Sequence, residues 1–287
     1  MTFFHFKDNL ETPLPVDRIS KAKPLLDYFL PKFQSIYIPK QELSLEEAMI
    51  KWRGRLRFKT YNSGKLKKYG ILVRMVRESE TGYICNLEIY MVEGKKLQET
   101  ILLVLQPYLG SWHHIYRDNY YNCVSTSEIL LKNKTRVCGT IRENHGLPNQ
   151  LKLKSKNLQR GEMTFLQKGE MILLIWKDKR LVCMVATIHD ASIAPTGKED
   201  RRTGHQKTKP TCILEYNEYV KGVNRSNQYL ANLKILWKTR KWYKKVGFYL
   251  SNCSLFNVFK IYCSLKAQNK MTNKQFLLAV AREWSVG

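Results

Sequence analysis

Acidic residues are scarce in this sequence: 24 Asp and Glu stand against 49 Lys and Arg, a formal net charge of +25. A surplus of that size points to a polyanionic partner, nucleic acid being the usual one, although charge alone does not name it. Paired cysteines are missing as well. The 7 cysteines are scattered and form no CxxC pair, so neither a disulfide framework nor a zinc ribbon is indicated, and reduced, buried thiols are expected. The 6 histidines show no HxxxH or HExxH spacing, and His113 and His114 read as structural. Long apolar runs are absent too. The uncharged stretch from Val246 to Phe259 carries Ser251, Asn252, Ser254 and Asn257 and is shorter than the ~20 residues of a membrane span. The opening MTFFHFKDNLETPLP lacks the basic and apolar regions of a secretory signal. The expectation is a soluble, intracellular protein with no membrane partner.

What is present suits a packed fold. With 287 residues and 44% hydrophobic content, the chain can bury a sizeable core, either as one large domain or as a core carrying an insertion. No repeat or low-complexity tract stands out. A Pro-punctuated lead-in over residues 1–40 contains one helical pattern near Lys21 to Phe33. Ser44 and Glu47 have capping-box spacing, which predicts a short helix there. YGILVRMV (69–76) and YICNLEIYM (83–91) read as a β-hairpin turning at Glu80-Thr81-Gly82. A helix is expected over Leu97 to Leu105, a short strand ending near Arg117, and a helix from Thr126 to about Leu131. From Val137 to His189 the pattern is purely β, and Ala191 to Pro210 reads as a basic, mobile loop. Helices follow: one carrying Tyr216, Val220, Val223 and Leu230 on a face, one from about Trp242 to Ser264, and one from Asn273 to Trp284.

Catalytic acids are well placed at strand ends, where a rigid backbone aims them into a cleft. Glu78 and Asp118 both meet that condition, and two such carboxylates could hold a divalent metal for phosphoryl transfer if a third ligand came from a helix. Basic clusters occur at Lys51 to Arg57, including Arg53, Arg55 and Arg57, and at Lys65 to Lys68, including Lys67 and Lys68. Others lie at Arg201 to Lys209 and in KTRKWYKK, with Lys238, Arg240, Lys241, Lys244 and Lys245. Each is a candidate phosphate contact, with Trp242 and Tyr243 as candidate base-stacking rings. A solvated face and core packing are the plainer alternatives.

The segment from Ile50 to Tyr90 resembles the core of the piggyBac transposase-derived family, as do HHIYRDNYYNCVSTSEILL, VCGTIRENHGLP, KGEMILLIWKDK and YNEYVKGVNRSNQYL. The resemblance covers about residues 20–285 and implies an α/β fold: an RNase H-like core interrupted by a small all-β insertion, with a helical C-terminal part. The expected divisions are a lead-in (1–40), a first core part (41–136), the β-rich insertion and basic loop (137–210) and a helical second core part (211–287). Active members use acids that hold two metal ions and cut DNA at element ends, rejoining it at TTAA. Carried over by motif, the first acid is Glu78, the second Asp118, and the helix acids fall on Asn224 and Asn227 of KGVNRSNQ.

An amide brings no charge to a site where two dications repel each other, so two-metal chemistry is expected to be lost or severely impaired. Glu78 and Asp118 would hold a metal weakly at best, with Mg²⁺ or Mn²⁺ needed only if activity remains. Neighbouring acids are poorly placed to substitute. On a continuous helix Glu218 points away from Asn224, and Glu215 lies about 13 Å from it along the axis. Family members usually carry a longer N-terminal region and a cysteine-rich zinc module; if this chain is the whole product, recognition of element ends is expected to be weak or absent, leaving mostly charge-driven binding. The expectation is thus a nuclear DNA-binding remnant, with room for a homodimer. A residual nuclease or transposase and a decayed element fragment are the alternatives.

Overall fold

The computed structural model describes residues 18–64, 68–91, 94–199, 204–232, 239–266 and 271–286; the side chains of 221–228, 231, 232 and 286 are outside that description. In chain order the first elements are α1 (Lys23–Ile36), β1 (Glu42–Lys51), β2 (Thr60–Tyr61), β3 (Tyr69–Glu78), β4 (Ile84–Ile89), α2 (Leu97–Leu105) and β5 (His114–Arg117). Next come α3 (Val124–Lys132), β6 (Arg136–Thr140), α4 (Asn149–Ser155), β7 (Met163–Lys168), β8 (Met171–Lys177) and β9 (Leu181–Ala186). The last are β10 (Ile193–Glu199), β11 (Gln206–Pro210), α5 (Thr211–Asn232), α6 (Trp242–Leu265) and α7 (Asn273–Val286). None of the described helices is long and apolar enough to cross a membrane. Two compact units interleave along the chain: one comprises Met1–Pro39, Glu47–Lys95 and Asn224–Gly287, the other Lys40–Glu46 and Lys96–Val223.

In the first unit, β3 is hydrogen-bonded to β1, to β2 at its start, and antiparallel to β4 along the rest of its length. Its nearly unbroken apolar run is buried, as expected of a strand covered on both faces. Ile71, Val73 and Met75 pack with Phe33 of α1 and with Val246, Leu250, Cys253 and Phe256 of α6. The expected hairpin is present, and its register shifts between Val76 and Arg77, just before the turn. Asn257, buried on α6, ties that end down. Its amide donates to the Ile84 carbonyl at 2.9 Å, and its oxygen accepts from the Ile84 N–H at 2.8 Å.

In the second unit the first half of β1 pairs parallel with β5, and β5 parallel with β6; β9, β8 and β7 continue outward in antiparallel order. Both faces of β8 are covered. Ile172 and Leu174 pack with Cys212 and Ile213 of α5, while Leu173 and Ile175 pack with Leu147 and with Leu151 of α4.

Three expectations change. The Ser44–Glu47 spacing does not start a helix, because Leu43, Ser44 and Leu45 are buried in a strand whose pairing with β5 overrides the local capping preference. The segment 137–189 is not all β, since α4 lies within it, and its strands β7–β9 extend the sheet of β6 instead of forming a separate module. The basic loop is an antiparallel hairpin, β10 with β11, with residues 200–203 outside the described ones. Both of its strands are largely exposed, so backbone pairing holds them and no apolar alternation marks them in the sequence. The helices expected over 97–105, 126–131, 242–264 and 273–284 all form.

Replacing Asn257 by alanine leaves a buried N–H and a buried carbonyl of Ile84 unpaired, at about 1–3 kcal/mol each. A urea titration should show a clearly lower midpoint for this variant; an unchanged midpoint would mean that the amide contributes nothing to the α6–β4 junction.

Candidate functional site

The parallel register builds the site. Glu42, Leu43, Ser44 and Leu45 stand opposite His114, Ile115, Tyr116 and Arg117, which in turn stand opposite Arg136, Val137, Cys138 and Gly139. Extended by one residue, the same register sets Glu46 opposite Asp118, and Asp118 opposite Thr140. The two-residue period of a strand puts Ser44 and Glu46, Tyr116 and Asp118, and Cys138 and Thr140 on one face. Helix α5 covers that face: the Cys138 thiol donates to the Cys212 carbonyl at 3.4 Å, and the Tyr116 ring lies 4.7 Å from that of Tyr219.

Tyr216 of α5 senses both acids. Burial pushes its phenol up to about 12; its hydrogen bond with Thr140 works the other way, and the charges of Asp118 and Glu46 add to the rise. Asp118 is held by its own loop, its Oδ1 accepting from the Tyr120 N–H at 3.0 Å. Asn122 bridges the strand ends above it, donating to the carbonyls of Arg117 at 3.1 Å and Thr140 at 2.7 Å. Gly139 is required at this close approach, because a Cβ there would lie 1.9 Å from the Arg117 oxygen. Glu215 is committed elsewhere, accepting from Tyr116 at 3.4 Å and lying 3.3 Å from His189. Burial lowers His114 to about 4, with help from Arg136, His189 and His113.

Glu78 has a different setting. It belongs to the first unit, at the end of β3, fully buried, where its carboxylate accepts from Tyr37 at 2.8 Å and from Thr81. Tyr37 stacks on Tyr83, and burial followed by the Glu78 hydrogen bond raises its phenol. Within the second unit, the acid that the β1–β5 register, extended by one residue, sets opposite Asp118 is Glu46, which sequence analysis missed. Its signal was an acid at the end of the apolar LSL alternation, hidden by the capping-box pattern. Asn224 and Asn227 lie on α5, as expected, and their side chains are outside the described residues. Glu46 and Asp118 offer oxygen ligands that suit Mg²⁺ or Mn²⁺, but no group of three potential ligands occurs among the described residues.

Two of the basic clusters converge within the first unit. Lys51, Trp52, Arg53 and Gly54 line a cleft of about 370 Å³ together with Thr239, Arg240 and Lys245. Arg55, Arg57 and Lys68 are exposed, and Lys241 is half-buried. Lys67 and Lys238 lie outside the described residues. Lys244, expected at a DNA surface, is buried on α6. Trp242 and Tyr243 are core residues: Trp242 meets Phe58 edge-on at 5.2 Å, and Tyr243 packs among the apolar side chains of that unit.

The family model described as Transposase IS4 matches residues 1–259. The human PiggyBac transposable element-derived protein 2 is 25% identical over 295 residues, covering 93% of this chain and 48% of that protein. The human PiggyBac transposable element-derived protein 3 is 22% identical over 276 residues, covering 90% of this chain and 46% of that one. The chain thus spans about half the length of the curated relatives it matches. Among solved structures, a piggyBac transposase synaptic complex with hairpin DNA superposes with a TM-score of 0.80 at 26% identity, over 92% of this chain and 56% of that one. The mixed α/β fold is the one the resemblance implied.

His114 gives the face a pH signature. Folded, it takes up its proton near pH 4, against about 6.5 when unfolded, so the unfolded state binds more protons between those values. Its contribution to stability is complete above about pH 6.5 and is lost as pH falls toward 4. Melting curves across that interval should show a shallower pH dependence for His114→Gln; an identical slope would mean that His114 plays no part in it.

Proposed function

The chain belongs to the Transposase IS4 family and is related to piggyBac transposases, and from that premise we propose that it is a DNA-binding protein whose strand-cutting chemistry is silent or nearly so. The observation that carries this reading is the acid inventory: Glu46 beside Asp118, and amides at Asn224 and Asn227 where the family pattern has carboxylates. Two dications close together need nearby anions to offset their repulsion. Two carboxylates suit one Mg²⁺ or Mn²⁺, which would supply positive charge to a phosphoryl oxygen; Glu46 and Asp118 would hold it, with Asn122 and Gly139 keeping the strand ends in place.

The DNA half of the proposal rests on the charge of +25, on the cleft with Lys51, Arg53, Arg240 and Lys245, and on the DNA present in the matched transposase structure. Phosphate contacts through Arg and Lys release counterions and need none of the acids. A nuclear location belongs to the same proposal. Because Tyr243 and Lys244 are buried, KTRKWYKK is not presented as an extended import peptide.

Two experiments test this reading. DNA affinity should fall steeply with salt, and Arg53→Ala with Arg240→Ala should lower the slope of log K against log salt by about one for each phosphate that is no longer neutralised; affinity independent of salt would contradict it. In Mn²⁺- or Mg²⁺-dependent nicking of TTAA-bearing DNA, the unaltered chain should be inactive, with cutting restored by Asn224→Asp plus Asn227→Asp and abolished again by adding Glu46→Gln or Asp118→Asn. The intact pair Glu46 and Asp118 favours a second reading, a residual nuclease. Cutting by the unaltered chain that Asp118→Asn abolishes would establish it.

A further inference from the structure

The opposite face of β5 carries an arrangement that the DNA-binding reading does not use. Arg117 points away from the Asp118 face and is fully buried beneath α3, where its Nη2 donates to the Ser127 hydroxyl at 3.2 Å. Its Nε and Nη1 are buried without a hydrogen-bond partner among the described residues. A guanidinium with two unmade hydrogen bonds is costly and suits an acceptor that is not always present.

Cys123 caps the N-terminus of that helix. Its sulfur accepts from the Thr126 N–H at 3.4 Å and lies 2.8 Å from the Thr126 hydroxyl and 3.3 Å from that of Ser125. Burial pushes its thiol up, but these hydrogen bonds and the charge of Arg117 outweigh it, and the net shift is downward. On the loop packed against the first turn, His145 is fixed with its Nδ1 2.7 Å from the Asn122 carbonyl and its own carbonyl accepting from the Val124 N–H. Cys138, Cys183, Cys212 and Cys253 are buried and shifted upward, and Cys85 is buried; Cys123 and Cys263 are partly exposed.

We propose that Cys123 is an oxidative modification site, converted by hydrogen peroxide to a sulfenic acid whose oxygen is received by the unpaired N–H groups of Arg117. In the step, the Cys123 thiolate forms a bond to one peroxide oxygen, the O–O bond breaks, and hydroxide leaves and takes a proton from solvent. Sulfur is oxidised, and the peroxide is reduced to water. The thiolate is the reacting form, and a partly exposed thiol beside a cation at a helix N-terminus is the setting that favours it.

The test uses the full native chain, limiting hydrogen peroxide at pH 7, dimedone to trap sulfenic acid, and peptide mass mapping. Cys123 should label on the order of tenfold faster than Cys263, the partly exposed internal control. Thr126→Val, which removes one hydrogen bond to the sulfur, should erase most of that lead, and Arg117→Met should do the same if it folds. Equal labelling of Cys123 and Cys263 in the native chain overturns the proposal, as does a lead that Thr126→Val leaves intact. The assay involves no DNA, so its outcome is independent of the function proposed above.

Discussion

The parallel pairing of β1 with β5 is the constraint on which the candidate site depends. Parallel strands carry evenly spaced bonds and place their carboxyl ends together, so the residues just past the paired segments emerge side by side. Here the residues that follow the last paired ones, Leu45 and Arg117, are Glu46 and Asp118. The pairing of β5 with β6 adds Thr140, and Gly139 permits the close approach that Asn122 then bridges. Tyr216 closes the arrangement from α5 and registers both charges. A one-residue slip of β1 would turn Glu46 to the other face and bury Leu45 where the acid belongs.

Charge divides the molecule's chemistry in two. Under the proposed function, the cations that line the cleft of the first unit would need only to be near phosphates, and substitutions among them would change affinity by degrees. The acids work differently, because a two-metal centre depends on the number of negative charges in a small volume. An amide is nearly isosteric with a carboxylate, so exchanging one for the other removes charge without adding bulk. The fold and the basic surface of a DNA-handling protein can therefore persist after its chemistry is gone.

The elements that reveal themselves in sequence are those whose side-chain pattern matches their burial. β3 and β8 are covered on both faces and read as unbroken apolar runs; α2 and α6 read through their helical spacing. The segment 42–51 misleads because Ser44 and Glu47 satisfy a local helix signal, while the partner that makes it a strand lies some seventy residues away in the chain. That misreading concealed Glu46 and left Glu78 as the acid nearest a recognisable strand end. Glu78 lies inside the first unit and accepts hydrogen bonds from Tyr37 and Thr81. The basic clusters were legible as charge but not as geometry: Lys51, Arg53, Arg240 and Lys245 meet in one cleft, whereas Lys244, Trp242 and Tyr243 turn inward.

The identity of the acid beside Asp118 is the central claim, and binding of Mn²⁺ followed by electron paramagnetic resonance tests it without requiring catalysis. The Asn224→Asp, Asn227→Asp chain should bind Mn²⁺, with affinity lost in Glu46→Gln and in Asp118→Asn and retained in Glu78→Gln when each is added to it. Loss of the ion in Glu78→Gln with retention in Glu46→Gln, both variants folded, would contradict the account.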